Sequence, residues 1–228
     1  LLGHCFGLME QFFLLLPATR VASPLHLSTA TAWTCAAPTC DYAYAASAPT
    51  LQLPLLLSAT DLDSLLHAGT PREVGALVAA HLSANPYKYG LCPQCGAAEL
   101  RAGAAHVVWS PLLLVELGRP AGDASGGAAA ALPWRLSLAP RVELRAAGTE
   151  ATYEVAAVVY NDGAHWWADL RCAKHFKGGA HGSYRYDGLE AGGALRYAGR
   201  ELTLTSEPRL ISFVLYRRVP AGRGAAAV

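Results

Sequence analysis

The chain has 228 residues, 53% hydrophobic and 15% charged, with 18 Lys and Arg against 17 Asp and Glu for a formal balance of +1. That length suits one domain, or one domain with an inserted subdomain, and there is enough Leu, Val and aromatic content for a sizeable core. So few charges exclude a disordered tail-like protein. A balance near zero gives no global reason for nucleic-acid or membrane-surface binding, and the apolar runs 12–16 and 55–57 fall far short of the roughly 20 residues that span a bilayer. No basic n-region or small-residue cleavage site marks a secretory leader. The chain opens on Leu1 rather than Met, and a fragment of a longer protein is expected.

Residues 6–16, FGLMEQFFLLL, read as a short, heavily buried helix that Pro17 stops. Residues 25–35 alternate loosely into Cys35, like a strand entering a knuckle. LQLPLLL at 51–57 is strand-like, and Pro54 places it at an edge. Thr60 is expected to cap a helix reaching about His67, with Asp61 and Asp63 in its first turn and Gly69 past its end. Pro71 is expected to open a further helix reaching about Leu82. From residue 97 the pattern changes to strands: 105–117 broken by Pro111, then 134–144, 152–160, 165–171, 183–187 and 210–217. Gly- and Ala-rich loops separate them, and the terminal AGRGAAAV has the composition of a disordered tail. The organisation is α+β: a small helical start, a Cys-bearing insert and a predominantly antiparallel sheet.

Six cysteines lie at positions 5, 35, 40, 92, 95 and 172. Cys35-x4-Cys40 and Cys92-Pro-Gln-Cys95 form two pairs, each able to present two thiolates from a tight turn. Together Cys35, Cys40, Cys92 and Cys95 offer four sulfurs for tetrahedral zinc at roughly 2.3 Å. Gly96 permits the left-handed backbone that turns amides toward the sulfurs. Zinc suits these pairs better than disulfides, since nothing else suggests secretion. Four protein ligands leave no open position for water, so the ion is expected to be structural. Nucleic-acid binding by such a ribbon is disfavoured, because residues 35–95 carry only Arg72 and Lys88 as basic groups.

YNDGAHWWADL places His165 after a Gly-Ala turn at the mouth of a strand, and SYRYDGL ends a second strand at Asp187. If the two strands pair as neighbours, His165 and Asp187 come within hydrogen-bonding reach, and the carboxylate fixes the imidazole tautomer. That is the orienting half of a Cys–His–Asp relay. The plain alternative is a strand-edge histidine near solvent and a turn-forming Asp-Gly.

Taken in order, these segments resemble the ubiquitin-specific proteases, a papain-like family of thiol isopeptidases. A first knuckle precedes LQLPLLLSATDLDSLL, and a second, YKYGLCPQC, has an aromatic lead. WSPLLLVELGR, YEVAAVVY, the box GAHWWADL, the turn YRYDGL and the terminal strand ISFVLYRR follow. The resemblance implies a papain-like cysteine protease fold in four parts. Residues 1–30 would form a reduced helical thumb, 31–104 the fingers with their zinc ribbon, 105–219 a β palm carrying His165 and Asp187, and 220–228 a disordered tail. It implies a deubiquitinase that cleaves the isopeptide bond after the C-terminal Gly-Gly of ubiquitin. Ubiquitin or ubiquitinated proteins would be its partners, with no nucleic acid and no membrane, in the cytoplasm or nucleus. The alternative is an inactive ubiquitin-binding module of the same fold.

Two alignments remain open at the start of the chain. In one, Cys5 at a helix N-terminus is the nucleophile, a position that favours the thiolate. The family's upstream oxyanion-holding residue would then fall at residue 0, and its Asn three residues after the Cys is Leu8. In the other, GHCFGLMEQFFLLL matches the family's later helix before the first knuckle, Cys5 is a packed residue, and the nucleophile lies ahead of Leu1.

Overall fold

A computed structural model describes residues 27–45, 50–52, 54–83, 91–97, 100–119, 132–172, 182–190, 194–202 and 208–220. The helix expected over 6–16, with Cys5, and the tail from residue 221 lie outside the described residues. Two sheets and two helices make up the described part.

The smaller sheet is built around β1 (Leu27–Cys35). β2 (Ala43–Ala45) and β3 (Thr50–Gln52) pair with its two ends, and β5 (Leu100–Val108) runs antiparallel along it with an irregularity between Ala30 and Thr31. β4 (Leu55–Leu57) belongs to the other sheet, where it pairs parallel with β6 (Leu112–Leu117) at the edge. Pro54 therefore divides the expected 51–57 strand into two strands of different sheets, since its missing N–H breaks the ladder between them.

Ser58, rather than Thr60, caps α1 (Ala59–His67). Its hydroxyl accepts from the Asp61 amide at 3.1 Å, and the Asp61 carboxylate accepts from the Ser58 amide at 3.0 Å, a reciprocal capping box. α2 (Val74–Leu82) starts three residues after Pro71, with Glu73 as its cap. Residues 72 and 73 are occupied elsewhere: Arg72 C=O accepts from the Ser137 amide at 2.8 Å, and Glu73 forms a parallel bridge to Ser137.

The larger sheet runs in the order β11 (Arg196–Gly199), β10 (Gly182–Asp187), β9 (Trp166–Cys172), β8 (Thr149–Asn161), β12 (Ile211–Arg218), β6 and β4, with β7 (Arg141–Ala146) pairing the first half of β8. The strand expected over 134–144 begins only at Arg141, after Pro133 and Pro140, neither of which can donate. β12 (Ile211–Arg218) lies between β8 and β6, and its run of buried residues from Ile211 to Val214 is what a strand covered on both faces shows. β7 instead alternates, with Val142, Leu144 and Ala146 buried. Leu77, Val78 and Leu82 of α2 join the same core as β7, Tyr153, Val155, Val214 and Tyr216.

The site end of this sheet is formed by β9 (Trp166–Cys172) and β10 (Gly182–Asp187), antiparallel neighbours, with the short β11 (Arg196–Gly199) beyond them. β2 and β11 had no sequence expectation, because three- and four-residue edge strands carry too few positions for a period. Among the described residues, no helix is long and apolar enough to cross a membrane.

Tyr216 is fully buried, and its hydroxyl has no hydrogen-bond partner among the described residues. Such a group carries its desolvation cost without return. Tyr216→Phe is therefore expected to raise the unfolding free energy by about 1 kcal/mol in a denaturant titration; a loss of that size would show that the hydroxyl is satisfied.

Candidate functional site: a histidine–aspartate pair and a four-cysteine cluster

The turn before β9 is fixed by two side chains of its own sequence. Asn161 Oδ1 accepts from the Gly163 amide at 2.6 Å, and Asp162 Oδ1 accepts from the Ala164 and His165 amides at 2.9 and 2.7 Å. Gly163 has φ +95°, a conformation that side-chain-bearing residues rarely adopt. The Ala164 and His165 amides hold the Asp162 carboxyl below the usual carboxylate range. This turn delivers His165 to the mouth of the strand. Sequence reading missed the role of Asp162, although Asn-Asp-Gly ahead of a strand is a signal for side-chain-capped turns.

The β9–β10 register sets Trp167 opposite Asp187 and Asp169 opposite Arg185. His165 lies diagonally from Asp187, and its Nε2 stands 2.7 Å from Asp187 Oδ1. Their side chains are 19% and 16% exposed, so water competes little for the bond. The same Oδ1 accepts from the Leu189 amide at 2.9 Å, closing the turn after β10. Burial raises the Asp187 carboxyl, but the Leu189 amide and the His165 ring outweigh it and hold it below its ordinary value. Stability from such a lowered carboxyl is present above its unfolded value of about 3.9 and is lost as pH falls through the folded value.

With Nε2–H donated to the carboxylate, the imidazole carries its lone pair on Nδ1, which has no partner among the described residues. The ring stacks on Trp167 at 5.7 Å and 19°, and Trp167 stacks in turn on Tyr160, its cross-strand partner, at 5.7 Å and 17°. A stacked ring with one nitrogen locked can act as a base at the other. Trp166 points to the other face and lies against Phe213. Beyond Trp167, Arg185 donates to both oxygens of buried Asp169, at 2.8 and 2.9 Å. This pair also escaped sequence reading; the period-2 spacing of Asp169 from His165 was its signal.

Elsewhere the four cysteines converge. Cys35 and Cys95 sulfurs are 3.6 Å apart, Cys40 and Cys92 sulfurs 3.8 Å, and all four lie within 4.8 Å of one another. A regular tetrahedron with 2.3 Å metal–sulfur bonds has edges of about 3.8 Å, so the set fits one zinc ion. Gly96 has φ +74° and its amide donates to Cys92 C=O at 2.8 Å, which closes the second knuckle. Gln94 Nε2 donates to Asp41 Oδ1 at 2.7 Å and joins the two knuckles. The thiols hold their protons unequally. The Tyr42 amide lowers Cys40, but burial and the Cys95, Cys35 and Cys92 thiols push it up to about 12. Burial raises Cys92, yet the Cys95 and Gln94 amides and the Cys35 and Cys95 thiols bring it down to about 7. Zinc binding would displace these protons, so affinity falls with acid. Cys172 ends β9, and Cys5 lies outside the described residues.

No family model and no curated protein sequence matches the chain. Solved structures do. A chain of the Ubp8-Sgf11-Sgf73-Sus1 SAGA DUB module aligns with TM-score 0.54 and 11% identity, over 88% of this chain and 41% of that one. The SAGA DUB module bound to monoubiquitin gives 0.53 and 12%, over 88% and 42%. A yeast SAGA DUB module with a mutant Sgf73 gives 0.54 and 11%, over 92% and 48%. At such identity the likeness shows a shared fold alone, and this chain spans less than half the length of each of these three chains.

Removing one sulfur tests the metal reading. Cys92→Ser is expected to abolish stoichiometric zinc by elemental analysis and to lower the melting temperature together with it; unchanged zinc content and melting would overturn it.

Proposed function

We propose that this chain is the β-rich part of a thiol-dependent deubiquitinase that cleaves the isopeptide bond after the C-terminal Gly-Gly of ubiquitin. The observation that carries the reading is the His165 Nε2–Asp187 Oδ1 bond of 2.7 Å at the mouth of β9. It leaves Nδ1 available to a nucleophile, inside a fold similar to that of a module solved with monoubiquitin. In this mechanism Nδ1 takes the proton of a cysteine thiol, either Cys5 or one N-terminal to this chain. The thiolate attacks the carbonyl carbon of the terminal glycine, and His165 then protonates the departing lysine amine. A water deprotonated by the same nitrogen hydrolyses the thioester and regenerates the thiol. Asp187 keeps the ring in the required tautomer and stabilises the imidazolium between the two proton transfers.

Zinc on Cys35, Cys40, Cys92 and Cys95 would supply a structural crosslink between the turn after β1 and the 92–95 turn. With all four positions filled by protein, it would supply no water-activating chemistry. The segment it ties is read as the surface that holds the body of ubiquitin.

His165→Ala is expected to lower kcat for a fluorogenic ubiquitin C-terminal amide by about 10³-fold with the melting temperature preserved. Equal turnover by this variant would refute the assignment, and ubiquitin binding with no turnover by the unmutated full-length protein would favour the inactive binding module.

A further inference from the structure

Arg185 is the cation nearest in sequence to Asp187 on β10, and it lies on the same face. Directly paired residues of an antiparallel ladder share a face, and residues two apart on a strand do also. The register therefore places Trp167 and Asp169 of β9, with His165 just ahead of them, on one face with Arg185 and Asp187 of β10. Arg185 can reach two carboxylates from this position: Asp169 directly across, or Asp187 about 6.8 Å along its own strand. It takes Asp169, with Nε to Oδ1 at 2.8 Å and Nη2 to Oδ2 at 2.9 Å. Asp187 spends Oδ1 on His165 and the Leu189 amide, and its Oδ2 accepts no hydrogen bond among the described residues.

We propose that Asp169 is a positioning residue which keeps Asp187 on His165 by sequestering the Arg185 guanidinium, a competitor for the same carboxylate. The inference rests on the catalytic reading of His165 and Asp187 given above. The chemistry favours the competitor: a guanidinium carries a full positive charge and can engage a carboxylate through two parallel N–H bonds, where the neutral imidazole offers one. A guanidinium freed from Asp169 would therefore draw Asp187 away, and the imidazole would lose the bond that fixes its tautomer. Asp169 is suited to hold it: it is only 2% exposed, both its oxygens are engaged by Arg185, and it approaches from the neighbouring strand. The pair is half-buried, with the Arg185 side chain 36% exposed, and such an ion pair adds little net stability, so stability alone is a poor reason for its presence here.

The competition makes the two partners unequal, which a supporting ion pair would not. In the full-length protein, 15N-histidine spectra follow the His165 Nε2 proton, and hydrolysis of a fluorogenic ubiquitin C-terminal amide gives kcat and KM. Asp169→Asn, near-isosteric and uncharged, is expected to abolish the downfield Nε2 proton signal and lower kcat by about tenfold or more, with KM within about twofold. Arg185→Gln keeps the signal. The double variant Asp169→Asn with Arg185→Gln is expected to regain the signal and most of kcat. A double variant as impaired as Asp169→Asn, or an Asp169→Asn protein with an unchanged signal, overturns the proposal. Should Asp169→Asn fail to fold, the double variant decides alone; failure of both to fold makes the pair a support and overturns it too. If the signal behaves as expected in a protein with no turnover, the positioning role stands and the hydrolase reading fails. If turnover is present and indifferent to Asp169→Asn, the reverse holds.

Discussion

The register of two short strands governs the site. With β9 and β10 paired so that Trp167 faces Asp187, His165 falls on the diagonal and its Nε2 meets Oδ1 at 2.7 Å. A slip of one residue would turn every side chain of one strand to the opposite face. His165 and Asp187 would then no longer share a face. Two local devices pin that register: the Asp162 cap on the turn before β9 and the Leu189 amide on Asp187 after β10. Each is a hydrogen bond to a carboxylate, so the same kind of interaction sets the strand ends and orients the imidazole.

The sheet behind these strands explains why they can be so polar. β12 and β8 form its centre, and the Tyr160–Trp167–His165 stack links that centre to the rim. The core side supplies rigidity, and the rim carries the polar His165–Asp187 pair. The four-cysteine cluster lies next to the other sheet, where Cys35 ends β1 and Cys40 follows in the next turn. Its thiols converge from segments 52 to 60 residues apart in sequence, and a cluster with tetrahedral edge lengths joins those segments. Metal ligation can supply folding free energy at such a place.

Much of this was legible in the chain itself. Six strands of the larger sheet follow from runs such as ISFVLYRR and YEVAAVVY, because β-branched and aromatic residues in short, bounded runs leave few alternatives. Cys35, Cys40, Cys92 and Cys95 could be named from spacing. His165 and Asp187 could be named too, but their meeting was conditional on strand pairing, which no local pattern dictates. The division of LQLPLLL between two sheets was hidden for the same reason: a period-2 run does not say which ladder it joins. Ser58 displaced Thr60 as the cap because Ser58-x-x-Asp61 closes a reciprocal box, which outweighs the propensity of any one residue. Asp169 and Arg185 look like ordinary surface charges in sequence, and only the cross-strand register brings them together.

The central claim is that His165 and Asp187 serve a cysteine that attacks the end of ubiquitin. Its most direct measurement is intact-protein mass spectrometry of the full-length protein after exposure to ubiquitin bearing a cysteine-reactive C-terminal electrophile. A single ubiquitin adduct on one cysteine outside the four-sulfur cluster, formed far more slowly when Asp187 is replaced by Ala, is the predicted result. No adduct, or an adduct whose rate ignores that replacement, would contradict the account.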